Sequence, residues 1–229
     1  MSEPGSRRGR AHDAEGAREA ILNAAEEVFA EHGFDGARID AIAATAGYNK
    51  SLIFQYFDDK LGLYAEVVRR ADREINELQA GVFITLSEDE SIASDAHKFR
   101  TLLETSITAF FDYLVEHPRV RRILIWEVAE GWQTYTKIMS QRDREDVKQF
   151  RPFFSKLQSF GVLRSGIDPI VQLVMAVYTC PYFLASLPLY QMLLPDEDFS
   201  SAAALARARE YIVDFLVAGM MVDPKATKR

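Results

Sequence analysis

Residues 38–60, RIDAIAATAGYNKSLIFQYFDDK, decide the fold. Ile39, Ile42, Ala43 and Ala46 fall on one face at helical spacing, which predicts a short helix from Ile39 to about Ala46. Gly47 follows, where a left-handed backbone costs nothing because there is no Cβ. Asn49 then stands where a side-chain oxygen can cap the first turn of a second helix, Lys50 to about Phe57. Leu52, Ile53 and Phe57 supply an apolar side, leaving Lys50, Ser51, Phe54, Gln55 and Tyr56 for the outside. A cation, a hydroxyl, an amide and two aromatics on an otherwise neutral helix suit the major groove of DNA, whose base edges are lined by phosphates. Two short helices joined by a tight turn, with the reading residues on the second, are the helix-turn-helix arrangement.

The flanks extend this unit. Ahead of it, Ala17, Ile21, Ala24, Ala25, Val28 and Phe29 form the stripe of a helix from about Ala14 to His32, ended by Gly33. Residues 1–13 are rich in Gly, Ser and Arg and are expected to be disordered without DNA, a basic arm whose Arg7, Arg8 and Arg10 could enter a minor groove. Residues 14–60 thus make a three-helix DNA-binding domain. After it, Leu63, Val67, Ala71, Ile75 and Leu78 mark the buried side of a helix from Lys60 to about Phe83. Lys60 sits at its start, where free N–H groups favour a phosphate. The acidic stretch Ser87–Ser94 reads as a loop.

This stretch resembles the TetR (tetracycline-repressor-like) family of bacterial transcriptional regulators. The resemblance rests on Phe29, Gly33 and Phe34; on Ile42, Ala43, Ala46 and Gly47; on Phe54, Tyr56 and Phe57; and on Lys60 and Leu63. It covers roughly residues 14–66. Three positions depart from the family pattern. Ala37 and Arg38 stand where a capping Thr or Ser is usual, Tyr48 follows Gly47 in place of Val, and Gln55-Tyr56 replaces a frequent Tyr-His pair. Arg38 can replace a phosphate contact but not the cap. The resemblance implies an all-α protein, with this domain followed by a larger C-terminal helical domain that binds a ligand and dimerises. The implied activity is that of a ligand-responsive repressor, released from palindromic double-stranded operator DNA by a small, largely apolar or aromatic effector. Lys50, Ser51, Phe54, Gln55 and Tyr56 would face the groove, with Arg38 and Lys60 on phosphates.

The remainder reads as helices throughout, with residues 61–221 as the second domain and 222–229 as a tail. Predicted helices run from about Asp95 to Glu116, broken at His117-Pro118, and from Arg119 to Ala129. A long helix from Gln133 to Phe160 is expected to bend at Pro152. Asp168-Pro169 reads as an N-cap with proline at the first helical position, and the last two helices run over about 169–194 and 200–221. Val171, Val174, Met175, Tyr178, Leu205, Tyr211, Ile212, Phe215, Leu216 and Met220 exceed what one buried face requires. With the resemblance, these two helices are the natural homodimer interface. Any one aromatic here is ordinary core. As a set they suggest an effector pocket, for which Trp126, Trp132, Tyr178 and Tyr182 are the candidates. Glu127 and Glu130 could meet a cationic ligand, but Arg119, Arg121 and Arg122 offer a simpler reading as local ion pairs at helical spacing.

Composition bounds the alternatives. The net charge of −7 argues at first against nucleic acid, yet the segment from Ala41 to Phe57 holds Lys50 and no acid. The single cysteine, Cys180, lies in an apolar run and reads as a buried thiol. The N-terminus lacks the apolar core of a signal peptide. The apolar stretch Leu173–Leu187 is interrupted by Thr179, Pro181 and Ser186 and falls short of the roughly twenty residues of a membrane span. A cytoplasmic protein with no membrane contact is expected. His12, His32, His97 and His117 show no metal-ligand spacing, and no nucleophile elbow or phosphate-cradling loop occurs, so no catalytic residue, metal or cofactor is expected. The competing reading is a helical small-molecule-binding protein or enzyme that keeps a degenerate helix-turn-helix.

Overall fold

The computed structural model describes the backbone of residues 5–88, 90–139 and 151–222, and the side chains of 14–78, 91–139 and 151–222. The described residues are helical almost throughout. The helices are α1 (Gly5–Gly36), α2 (Ile39–Ala46), α3 (Lys50–Phe57), α4 (Lys60–Glu88), α5 (Ala96–Glu116), α6 (Pro118–Ala129), α7 (Gln133–Ile138), α8 (Arg151–Ser159), α9 (Pro169–Ala185), α10 (Leu187–Leu193) and α11 (Ala202–Met220). An isolated β-bridge pairs Leu163 with Met221.

Several boundaries differ from the sequence reading. α1 begins at Gly5, ahead of the expected Ala14, because Arg7, Arg8, Arg10 and Ala11 are good helix formers that extend the ladder at little cost. The side chains of that arm lie outside the described residues. Gly33 breaks the helix as expected, at φ 69°. α4 runs on to Glu88, and Ser87–Ser94 is no plain loop. It contains a 3-10 turn, Glu90–Ala93, whose Ile92 and Ala93 are buried, so two apolar residues overrule the acidic composition around them. The long helix expected over 133–160 is seen as α7 and α8, with Pro152 in the first turn of α8, where a proline costs least; residues 140–150 between them lie outside the described residues. The single helix expected over 169–194 splits at Ser186 into α9 and α10, which meet at 53°. Pro181 is held inside α9, and Pro188 starts α10.

The chain forms two compact units: Met1–Arg73 with Arg119–Ile138, and Glu74–Pro118 with Met139–Arg229. They do not follow the expected boundaries at 60 and 61. The first unit is built on Ile21, Phe29, Ile42, Ile53, Leu63 and Tyr64, all fully buried. It also takes in α6 and α7 from far along the chain. Ile123 enters the same core, and the Trp126 indole N–H donates to the Ala30 carbonyl at 3.2 Å. Arg119 pairs with Glu27. At the centre, the Tyr64 hydroxyl donates to Glu127 Oε1 at 2.5 Å, while Glu127 Oε2 accepts from the Tyr135 N–H at 3.1 Å. Glu127 is 2% exposed, so it forms no local pair with the arginines of its own helix, as the sequence reading preferred. A buried carboxylate must be hydrogen-bonded to be tolerated, and a tyrosine of α4 and a backbone N–H do this. Burial and then the neighbouring carboxylate push the Tyr64 hydroxyl far above its usual range.

The second unit packs α5 against α9 and α11. Phe99, Leu103, Ile107, Phe110, Phe111 and Leu114 of α5 are buried, together with Cys180 and Leu184 of α9 and Ile212, Val213, Leu216, Val217 and Met220 of α11. Arg209 joins α11 to Asp112 of α5 by two bonds of 2.6 and 2.8 Å. The carbonyl end of α11 is closed by Arg164, whose Nε and Nη2 donate to the Met221 and Ala218 carbonyls. Burial pushes the Cys180 thiol up to about 12, so it is held protonated, as expected of an inert core cysteine.

Two changes probe the first unit. A Cβ on Gly62 would lie 2.2 Å from the Phe57 carbonyl oxygen, so Gly62→Ala should force α3 away from α4 and cost about 1–3 kcal/mol in urea unfolding. Tyr64→Phe leaves the packing but removes the donor to a buried carboxylate; it should cost about 1.5–3 kcal/mol in the same measurement. Wild-type midpoints in both variants would contradict this account of the core.

Candidate nucleic-acid interface

The two helices of residues 39–57 have the geometry that their sequence predicts. α2 ends at Gly47, in the left-handed region at φ 73°, whose N–H bonds back to the α2 carbonyls. Asn49 is the N-cap of α3, its side chain accepting from the Leu52 N–H at 2.9 Å. Ile53 and Phe57 are buried and Leu52 is half-buried, which fixes the rotation of α3 about its axis. Lys50, Ser51, Phe54 and Gln55 are exposed on the other side, and Phe54 is 44% exposed. Tyr56 is half-buried, its ring edge-on to Phe57 with centroids 6.1 Å apart. One helix face therefore anchors α3 and the other carries hydrogen-bonding groups and an aromatic ring.

Lys50 and Lys60, two of the cations around this face, have internal partners. Lys50 pairs with Asp40 of α2, both side chains being about half exposed. Arg38 is exposed and precedes α2 in an extended conformation, with no side-chain bond to the helix start. That matches the expectation that it cannot cap. Lys60 opens α4; its Nζ donates to the Asp35 carbonyl at 3.2 Å and lies 4.7 Å from the centre of the Phe34 ring. The turn before α4 is tight: Asp58 adopts φ 63°, unusual for a residue with a Cβ, and Asp59 Oδ1 accepts from the Gly62 N–H at 2.7 Å. The exposed Lys50–Asp40 pair contributes little to stability, on the order of 0–1 kcal/mol, and can be traded for a phosphate.

The α6–α7 corner was not visible to sequence reasoning as part of this unit. Nothing local in its sequence says that α6 packs on α1 and α4. The signal that was present is Tyr64, an amphipathic aromatic on the buried side of α4 that needs an acceptor. At the corner, Gly131 and Trp132 have φ 67° and 64°. Glu130 lies over the end of α1, 2.7 Å from where a Gly33 Cβ would be, with the Trp126 ring at 3.0 Å. Asp35, Glu130, Gln133, Thr134 and Lys137 line a cavity of about 130 Å³.

The four candidate effector residues are divided between the units. Trp126 and Trp132 belong to the first, and Tyr178 and Tyr182 to the second. Trp126 is engaged with Ala30, as above, and Trp132 stands edge-on to Tyr135 at 5.6 Å. Tyr178 is half-buried and Tyr182 is 66% exposed. Phe110 and Phe111 of α5 are core. No cluster of His, Cys, Asp and Glu suited to a metal occurs among the described residues. Nor is any single described helix long and apolar enough to cross a membrane.

Residues 21–67 match the model of the bacterial regulatory proteins of the tetR family, and residues 100–216 that of the tetracyclin repressor-like C-terminal domain. The chain is 34% identical over 120 residues to the HTH-type transcriptional repressor SCO4008 of Streptomyces coelicolor, covering 52% of this chain and 54% of that protein. It is 28% identical over 176 residues to the HTH-type transcriptional repressor NicS of Pseudomonas putida, covering 76% and 78%. Among solved structures, the complex of SmeT, from Stenotrophomonas maltophilia, with triclosan aligns with a TM-score of 0.55 at 23% identity, over 91% of this chain and 93% of SmeT, a likeness of fold. The two family models match the reader and more than half of the chain beyond it, and α2 and α3 have helix-turn-helix geometry: the chain belongs to the TetR family of bacterial transcriptional regulators.

Proposed function

We propose that this protein is a homodimeric repressor that binds a palindromic operator and is released from it by a small apolar or aromatic effector. The observation that carries the DNA-binding part is the division of α3: Ile53 and Phe57 hold it to the core, while Lys50, Ser51, Phe54 and Gln55 stand exposed. Gln55 and Tyr56 would meet base edges, Lys50 and Ser51 bases or phosphates, and Arg38 and Lys60 phosphates. Repression is supported by the relatives SCO4008 and NicS, both named as repressors.

Dimerisation is supported by the outer faces of the last helices. Apart from half-buried residues such as Tyr178 and Leu205, their apolar residues divide into two sets. Ile212, Leu216 and Met220 are buried in the unit, whereas Val171, Val174, Met175, Tyr211 and Phe215 are 43–73% exposed. Val171, Val174, Met175 and Tyr182 recur at helical spacing on α9, and Tyr211 and Phe215 do so on α11. Leaving such a stripe in water forfeits burial that a two-fold partner restores. The pairing would place the two α3 helices one DNA turn apart, roughly 34–36 Å, or a multiple of it.

An effector is supported by SmeT, a protein of like fold bound to triclosan. Tyr178 and Tyr182 on α9 are the residues proposed to meet it, within the C-terminal unit. Release requires an effector that prefers the DNA-incompetent state; equal affinity for both states would shift nothing. α4, which contributes to both units, is the proposed connection.

The test uses a duplex selected from random-sequence DNA by the wild-type chain. Lys50→Ala and Tyr56→Ala should each weaken binding by at least about tenfold, the loss of one good base or phosphate contact, and leave the circular dichroism and dimer mass unchanged. Wild-type affinity in both would reject this reading of α3. Separately, Tyr211→Asp with Phe215→Asp should give a monomer in analytical ultracentrifugation; a persistent dimer would place the interface elsewhere.

A further inference from the structure

The start of α4 carries a charge arrangement that the DNA-reading role of Lys60 does not explain. Lys60 is held by the Asp35 carbonyl and the Phe34 ring, facing the end of α1. The α6–α7 corner brings a carboxylate to the same place. Glu130 lies over Gly33 and shares a cavity wall with Asp35. Its position is costly. It is partly desolvated, it faces Asp35 and the buried Glu127, and it lies at the carbonyl end of the first helix, where a negative charge is disfavoured. Lys60, on the Asp35 carbonyl and the Phe34 ring, is a cation at that same helix end, and Lys137 lines the cavity from α7.

Mobility does not account for this position, because the corner is tied down on both sides of Glu130. Trp126 is bonded to Ala30, and Glu127 to Tyr64 and to the Tyr135 backbone. The backbone of Gly131 and Trp132 turns sharply directly after it. A carboxylate held at such a place costs stability and needs another reason to be there.

We propose that Glu130 limits the affinity of the reader for DNA by competing with phosphate for Lys60, and that the Tyr64–Glu127 contact positions it to do so. A phosphate approaching Lys60 meets the field of Glu130 as well as that of the lysine, so the net attraction at that contact is smaller than an isolated lysine would provide. The α6–α7 corner thereby sets how strongly α4 holds the DNA backbone. Any movement of the corner away from α1 would alter that strength without changing α3. This inference rests on the phosphate contact proposed for Lys60.

The experiment is a double-mutant cycle on the full-length chain, with the selected duplex as probe and affinities measured at several salt concentrations. Lys60→Ala should weaken binding and reduce the slope of log affinity against log salt by about 1, the loss of one phosphate contact. Glu130→Gln should tighten binding by about threefold, the scale of one partly exposed charge pair. In the Lys60→Ala background the Glu130→Gln gain should disappear. A tighter variant is a result that structural damage does not produce. If Lys60→Ala leaves affinity and slope unchanged, the phosphate contact is wrong and the inference falls with it. If Lys60→Ala weakens binding but Glu130→Gln does not tighten it, the contact stands and the inference is overturned. A gain that persists without Lys60 overturns it also.

Discussion

A single buried hydrogen bond, from the Tyr64 hydroxyl to the Glu127 carboxylate, joins pieces of chain that are 63 positions apart. Tyr64 belongs to the helix that follows the reader, and its ring packs edge-on to Phe29 and Phe34 of the first helical segment. Glu127 sits at 2% exposure, which water cannot compensate, so the carboxylate is tolerable only while the tyrosine and a backbone N–H hold it. Removing one partner would leave the other unsatisfied in a dry place, so the bond fixes how α6 and α7 sit against α4, although it holds them no more firmly than apolar contact would. The reader is thus three helices in sequence but six in space.

The part of the fold that sequence disclosed follows from local rules. Gly47 and Asn49 are read correctly because a left-handed turn and an N-cap depend on neighbours within a few residues. The same holds for Asp168, which caps the helix after it. The failures are non-local. Ile92 and Ala93 are buried by the elements over them, which the acidic residues beside them in sequence do not reveal. Glu127 stands five, six and eight positions from Arg122, Arg121 and Arg119, none of them a facing neighbour on the helix, and it is the distant Tyr64 of α4 that meets it. The break at Ser186 lies between Pro181 and Pro188, and sequence alone did not say which proline a helix would absorb. For the proposed site, the exposed residues of α3 were legible because they are what an amphipathic helix leaves outside. The α6–α7 corner beside Lys60 was not, because its role depends on a packing partner a hundred residues upstream in places.

The last helices show how one surface can be read twice. Their apolar residues outnumber what one core can take, and the structure sorts them: one set fills the unit, the other is left outward in a stripe. Arg164, bonded to the end of α11, and Arg209, bonded to Asp112 of α5, hold that stripe in register from within the unit. The outward face is therefore presented by a rigid support, which lowers the entropy cost of covering it.

The pairing of Lys50 with Asp40 has a bearing on kinetics. An aspartate on the adjacent helix is an internal imitation of a phosphate, present at a high effective concentration whenever the protein is free. On arbitrary sequence, where the backbone alone is offered, Lys50 gains little by exchanging one anion for another, and the encounter is short-lived. Where base edges also match, as proposed for Gln55 and Tyr56, the exchange would be carried along by contacts the aspartate cannot imitate. If Lys50 meets DNA as proposed, a chain of net charge −7 would in this way be kept from lingering on arbitrary sequence.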